Sequence, residues 1–223
     1  MRFLLIHTAG AEGTVALGED DRVVAVSVLP GRSSSERLVP EVRLLLEGAG
    51  WRLDSLATVA VVHGPGSFTG VRVGLSAAKG LSEAGGVPLI AVSRLELLAA
   101  AAGGGEAVVY PVLDAGRGEF YFAVYEDGVC LGESLLPASQ VISAVGGGRV
   151  VGCEGAVVAG LAGVEVKLVA EPVAGDLLPI AIARLKRGAV DDAALVDANY
   201  LRRTDFEIQA RLAARVMKSE DGA

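Results

Sequence analysis

VVYPVLDAGRGEFYFAVYEDGVCLGESLL, residues 108–136, decides the fold, because its shape occurs twice in the chain. An apolar run ends at Asp114, a short glycine-rich turn follows, and two more apolar runs flank Glu126-Asp127-Gly128. Residues 3–8, FLLIHT, form a continuous apolar run of the kind that makes a strand buried on both faces. Residues 13–29, GTVALGEDDRVVAVSVL, then read as two strands around the acidic turn Glu19-Asp20-Asp21. The two stretches superpose without a gap at an offset of 107 residues. Glu12 meets Glu119, Ala16 meets Ala123, Glu19 meets Glu126, Asp20 meets Asp127, and His7 meets Asp114. An offset near half of the 223-residue length points to a duplicated unit.

The flanking sequence extends each copy into an α/β unit. SSERLVPEVRLLLEGAG carries Leu38, Val42, Leu45 and Leu46 at helical spacing, with Gly48 and Gly50 expected to stop the helix and Pro40 to begin its regular part or kink it. ATVAVVHG then reads as a buried strand, SFTGVRVGLSAAKGLSEAG as a helix, PLIAVS as a strand and RLELLAAAA as a helix. The first half is thus β-β-β-α-β-α-β-α, and Gly103-Gly104-Gly105 is the natural boundary. In the second half RVVGC and VEVKLV follow as short strands, Gly146-Gly147-Gly148 as a loop, and LLPIAIARLKRG as a helix. FEIQARLAARVMK has the spacing of a last amphipathic helix, for which packing back on the first unit is one expected place. Three antiparallel strands and a helix-linked parallel strand make a ribonuclease-H-like unit. Two in tandem are the pattern of the actin-like (ASKHA) α/β fold, here expected as residues 1–104 and 105–223.

Composition narrows the function classes. Hydrophobic residues make up 52% and charged residues 21%, a globular balance rather than a disordered one. A formal net charge of -7 repels a phosphate backbone, so nucleic acid would have to be held by a more basic partner. Arg202, Arg203, Arg211, Arg215 and Lys218 cluster late in the chain, but they mix with Asp205, Glu207 and Glu220 and read as a solvated face. Two cysteines, Cys130 and Cys153, are too few for a disulfide framework and read as small buried residues. The opening apolar run is too short for a secretory segment, and no window has the length of a membrane span, so a soluble, cytoplasmic protein is expected.

Residues 63–80, HGPGSFTGVRVGLSAAKG, carry the strongest motif. It is not a Walker A loop, since neither Gly64 nor Gly66 has glycine five residues on and no Lys-Ser or Lys-Thr follows. The dinucleotide fingerprint fails by one position, with glycine at 70 rather than 69. Ser67 lacks a nucleophile elbow and suits a helix N-cap. Backbone amides at the start of the helix remain able to hold an anion. Gly70, Gly74, Ala77 or Ala78, and Leu81 fall on one helix face. Glycine inside a helix costs about 1 kcal/mol against alanine, so close approach of another backbone has to compensate. That backbone belongs either to the chain's own sheet or to a second protein's helix, with Arg72, Ser76 and Lys79 ringing the contact in the second case. His7 and His63, the two histidines, sit in no metal-binding spacing. Asp114 alone offers no second carboxylate for acid–base work.

The GPGSFTGVRVGLSAAKGL and PLIAVSRLELLA segments closely resemble the signature of the bacterial TsaB (YeaZ) family, as do SSERLVP, LDAGRGEFY at 113–121 and YLR at 200–202. The likeness runs from the first strand to about residue 205. It implies an actin-like fold and support for forming N6-threonylcarbamoyladenosine at position 37 of tRNAs reading ANN codons. Such a protein is a non-catalytic relative of TsaD, which carries the metal-binding histidines, and it pairs with TsaD and activates it. TsaE, an ATPase, joins that complex, and TsaC or its relative supplies threonylcarbamoyl-AMP. The resemblance implies no catalytic residue, metal or cofactor in this chain. It leaves room for a nucleotide at the joint interface with TsaD, for tRNA bound only through the complex, and for a homodimer in isolation. The helices that meet TsaD map onto residues from about 67 to 84 and about 35 to 47. The expected interface is therefore Ser67, Phe68, Thr69, Gly70, Arg72, Val73, Gly74, Ala77 and Leu81, with Leu38 and Leu45. Two departures stand out: His7-Thr8 where the family has Asp-Thr, and Ala198 where it has proline before Tyr-Leu-Arg. The competing reading of the same fold is an actin-like ATPase or small-molecule kinase.

Overall fold

A computed structural model describes residues 1–29, 34–103 and 108–201, of residue 34 the backbone alone. The first copy comprises β1 (Arg2–His7), β2 (Gly13–Glu19), β3 (Arg22–Leu29), α1 (Ser34–Ala49), β4 (Thr58–Val62), α2 (Phe68–Gly85), β5 (Leu89–Val92) and α3 (Arg94–Ala101). The second comprises β6 (Val108–Gly116), β7 (Glu119–Glu126), β8 (Val129–Pro137), α4 (Ala138–Ala144), β9 (Arg149–Gly152), α5 (Gly155–Gly160), β10 (Val166–Leu168) and α6 (Leu177–Lys186). One sheet runs β3-β2-β1-β4-β5, and the other runs β8-β7-β6-β9-β10, the same order at the corresponding strands. In both, the first three strands are antiparallel and the last two lie parallel to the first.

The duplication extends to register. β2 and β3 pair from Gly13↔Leu29 to Leu17↔Ala25, then slip by one residue between Leu17 and Gly18. β7 and β8 slip between Val124 and Tyr125, directly after the pair Val124↔Gly132, which is the same place 107 residues on. The hairpin turns match as well: Asp20 and Asp127 both have positive φ, at 54° and 48°. Aspartate tolerates this left-handed conformation better than most side chains. The sequence identities at these turns therefore mark a shared backbone requirement.

Alternation along β1 shows how each sheet is covered on both faces. Leu4 and Ile6 face a core with Leu38, Val42 and Leu46 of α1 and Leu75 and Ala78 of α2. Phe3 and Leu5 face a second core with Leu177, Leu178 and Ala181 of α6. Burial of each large aliphatic side chain is worth roughly 1.5–3 kcal/mol, which outweighs local preference in fixing these elements. On the second sheet, α4 and α5 bring Val141 and Val157 against Tyr110, Val112, Phe120 and Phe122. α3 covers the other face with Leu95 and Leu98.

The copies exchange helices. α3 precedes the expected boundary near residue 104, yet it packs on β6, β7 and β9, while Leu97 joins the core of the first sheet. α6 lies in the second half and packs on β4, β5 and β1. After α6 the chain continues across the first sheet: the Asp191 amide donates to Leu89 O at 2.9 Å, and the Asp191 carboxylate accepts from the Ala91 amide at 2.7 Å. Ala193, Val196 and Ala198 then pack on the α1–α2 core.

Several sequence expectations change. α1 starts at Ser34 and runs through Pro40 and Gly48; the terminator is Gly50, with a φ of 67°. Cys130 is exposed rather than buried, and Cys153 is half-buried. The short helices α4 and α5 carry no periodic signal over their seven and six residues. The last helix proposed at 206–218, its packing against the first unit, the late basic cluster, Arg202 of YLR, and Gly104 and Gly105 lie outside the described residues. Among the described residues no helix is long and apolar enough to cross a membrane.

Candidate partner surface

The glycine-rich turn joins β4 to α2 and packs against the end of β1. His63 leaves β4 with its amide donating to Val92 O at 3.1 Å. The Ser67 amide donates to Ala9 O at 2.9 Å, and the Ser67 hydroxyl accepts from the Gly70 amide at 3.3 Å, forming the N-cap. Two of the amides that could have held an anion here are therefore already engaged. His63 Nδ1 lies 3.1 Å from the carbonyl oxygen of Asp197, which can only accept, so Nδ1 carries the proton and the ring is a structural donor.

The two helical glycines answer to the chain's own sheet. A Cβ on Gly70 would collide with the carbonyl oxygen of Thr8, and one on Gly74 with its hydroxyl. The Thr8 hydroxyl in turn donates to Gly70 O at 2.6 Å. The expectation that Gly70 and Gly74 face a partner is corrected: both are buried against the end of β1 and Thr8, and Leu38 on the inner face of α1 is buried in the α1–α2 core. A side chain at position 74 would probe this packing rather than an outer contact. Val73, Ala77, Leu81 and Leu45 are half-buried and rest on the α1–α2 core.

At its start α2 presents an exposed turn beside the glycine-rich loop. Ser67, Phe68, Thr69 and Arg72 are exposed, Phe68 at 53%. The Arg72 guanidinium lies over the Phe68 ring, 3.6 Å from its centroid. Arg72 Nε donates to the Tyr200 hydroxyl at 2.6 Å, and the Tyr200 and Phe68 centroids are 5.8 Å apart. Tyr200 reaches this place because the Asn199 amide donates to His63 O at 2.8 Å. The late Tyr-Leu-Arg motif and the glycine-rich motif therefore build one surface, and sequence spacing could not have paired them. Val39 and Leu44 of α1 are also exposed, at 53% and 54%, and were not singled out from sequence.

The ends of β1 and β6 are linked through Arg94, which donates to Glu154 and Glu171. His7 is 1% exposed, and burial, reinforced by the neighbouring Arg94 charge, lowers its pKa from 6.5 to about 3. At the β6 end, the Asp114 carboxylate accepts from the Gly116 amide at 2.9 Å and serves the turn. Burial pushes the nearby Cys153 thiol up to about 11, out of reach of thiolate chemistry near neutrality. Among the described residues no group of three or more His, Cys, Asp or Glu side chains is placed to hold a metal ion.

Comparison with known proteins places these features. The family model described as "TsaD: tRNA N6-adenosine threonylcarbamoyltransferase" matches residues 28–144. The chain is similar to the tRNA threonylcarbamoyladenosine biosynthesis protein TsaB of Escherichia coli K12, 39% identical over 138 residues. That match spans 60% of this chain and 60% of the relative. Its structure resembles the solved YeaZ of Pseudomonas aeruginosa with a TM-score of 0.75 at 30% identity, covering 90% of this chain and 99% of that one. A likeness to the ethanolamine utilization protein EutJ of Carboxydothermus hydrogenoformans, at 15% identity and a TM-score of 0.50 over 82% of this chain and 89% of that one, concerns the fold alone.

Proposed function

The chain belongs to the TsaB (YeaZ) family, and on that premise we propose that it is a non-catalytic partner and activator of TsaD. The reaction it supports is formation of N6-threonylcarbamoyladenosine at position 37 of tRNAs reading ANN codons. TsaE joins through that complex, tRNA is met only there, and a homodimer in isolation uses the same face. The observation that carries this reading is the exposed cluster of Phe68, Arg72 and Tyr200, built inside the family's own motifs. Aromatic and arginine side chains held rigidly at a surface are the usual energetic centres of protein interfaces. The alternative, an actin-like ATPase or kinase, is disfavoured because carboxylates of the chain itself, Glu171 and Glu154, occupy the backbone amides of Ala11 after β1 and of Asp114 in β6.

The test is size-exclusion chromatography with light scattering on the chain mixed with TsaD from the same organism. Wild type should form a 1:1 complex. Phe68→Ala and Arg72→Glu, both at exposed positions, should weaken it by roughly tenfold or more while thermal unfolding stays unchanged. The same variants should lower threonylcarbamoylation in a mixture with TsaD, TsaE and substrates. A complex indifferent to both substitutions would sink this assignment of the surface. Magnesium-ATP turnover by the isolated chain would replace the reading altogether.

A further inference from the structure

The two sheets differ at one register position in a way the fold does not require. In the first, the residue opposite Ala16 is Val26. In the second, the residue opposite Ala123, the counterpart of Ala16 at the offset of 107, is Glu133. The same edge pairing therefore accepts a valine in one copy and carries a carboxylate in the other. Glu133 stands among small and apolar neighbours in β8, Leu131, Gly132, Ser134 and Leu135, and is half-buried. Withdrawing a carboxylate from water is costly unless hydrogen bonds offset it. Glu133 has two partners: its Oε2 accepts from Asn199 Nδ2, and its Oε1 lies 3.4 Å from the Tyr125 hydroxyl.

Asn199 belongs to a strap that crosses from one copy to the other. The Asp197 carbonyl faces His63 Nδ1, and the Asn199 amide donates to His63 O at 2.8 Å. A Cβ on Gly64 would come within 3.2 Å of Asn199 O, so the strap lies close against the glycine-rich turn. Ala198 packs on the α1–α2 core, whereas Leu201 packs with Leu95, Leu98 and Tyr125 on the core of the second sheet. Tyr200 sits between these attachments, and it is the residue that meets Arg72 and Phe68. At 43% exposure, burial does little to hold it. Ordering such a residue costs conformational entropy, which its neighbours have to offset.

We propose that Glu133, on the second sheet, is a positioning residue for the α2 surface: it holds the Asn199 side chain and through it sets Tyr200 against Arg72. The Asn199 main chain is bound to the first copy and its side chain to the second, so the residue that follows is placed by both sheets together. An ionised carboxylate only accepts and Nδ2 only donates, so the pair also fixes which way the Asn199 amide points. The consequence for TsaD binding rests on the function proposed above; the effect on Arg72 does not.

The experiment uses the full chain. Glu133→Val installs the residue that the first copy carries at the same register. Asn199→Ala removes the other half of the pair and serves should the first variant fold poorly. Glu133→Gln keeps an oxygen that can accept from Asn199. The Arg72 Nε–H resonance, assigned by its loss in Arg72→Lys, reports on the Tyr200 hydroxyl in the free chain, and Tyr200→Phe gives its position without that partner. Glu133→Val and Asn199→Ala should each move the signal toward the Tyr200→Phe position, the double variant no further than either alone. Glu133→Gln should leave it near wild type. Urea unfolding of Glu133→Val should change little, whereas a merely structural carboxylate would lower stability and leave the Arg72 signal in place. TsaD affinity should fall roughly three- to tenfold in Glu133→Val and hold in Glu133→Gln. An Arg72 signal unmoved in folded Glu133→Val and Asn199→Ala overturns the proposal. A moved signal with TsaD binding intact upholds the positioning and counts against the α2 surface as the TsaD contact, so the two readings fail separately.

Discussion

His7 shows what one residue at a strand end can impose. It stands where the family has an aspartate, yet it is sealed in the core with a pKa lowered to about 3, chiefly by burial and then by Arg94. The folded state therefore leaves the ring neutral where the unfolded chain, near pKa 6.5, takes up a proton. The unfolded state binds more protons throughout that window, so the ring's contribution to stability is complete above about pH 6.5 and is lost as pH falls toward 3. Between pH 7 and pH 5 this loss should be about 2 kcal/mol. Urea unfolding of wild type and His7→Leu at both pH values checks it. The variant should lose about that much less on acidification, and equal losses would show that His7 does not titrate in this window. At the same scale, Gly70 and Gly74 were legible as positions needing close backbone approach, but the strand that approaches them was not.

Among the elements, the segment from Asp191 to Tyr200 decides what the α2 surface becomes. It has no regular structure, so neither period 2 nor period 3.6 marks it in sequence. It is anchored at one end by the Asp191 carboxylate on the Ala91 amide, and it delivers Tyr200 to Arg72 at the other. Asp191→Ala leaves the Ala91 amide without its partner. A charge-assisted bond of this kind is worth about 1.5–3 kcal/mol, and partial exposure places the expected loss near the lower end. Urea unfolding should show that loss, and Arg72 should lose its hydroxyl partner in part of the population, weakening TsaD binding. Unchanged stability would mean that Asp191 does not anchor the segment. The helices α1 and α2 themselves were legible from their apolar spacing, although α1 begins ahead of Pro40 because packing on the sheet outweighs the local break.

At the scale of the molecule, two copies of one sheet are held together by exchanged helices and by Arg94. α3 contributes Leu95 and Leu98 to one core and Leu97 to another, so it acts as a wedge rather than as the last element of a separable unit. Arg94, at its start, joins Glu154 to Glu171 and through them the amides of both halves. Arg94→Met removes the shared cation and leaves two carboxylates facing each other. Both are about one-third exposed, which reduces the cost from the several kcal/mol of a fully buried pair to about 2 kcal/mol. Part of that loss should be recovered in high salt, which screens the remaining repulsion. Thermal unfolding at low and high ionic strength measures it, and a stability unaffected at either would show that the cluster does not join the halves.

The duplicated strand–turn–strand pattern, the order of elements in the first half, the Ser67 cap and the family motif were all determined by the sequence itself. Each rests on local chemistry: apolar alternation, left-handed turn residues, and a hydroxyl three residues before an amide. Tertiary structure alone decided that Gly70 and Gly74 pack against Thr8, just past the end of the chain's own first strand, that Tyr200 meets Arg72 across 128 residues of the chain, and that Glu171 lies against Gly10 and Arg94. Those pairings depend on which strand ends the sheet order brings side by side, and contacts across that distance leave no period in the chain from which they could be read.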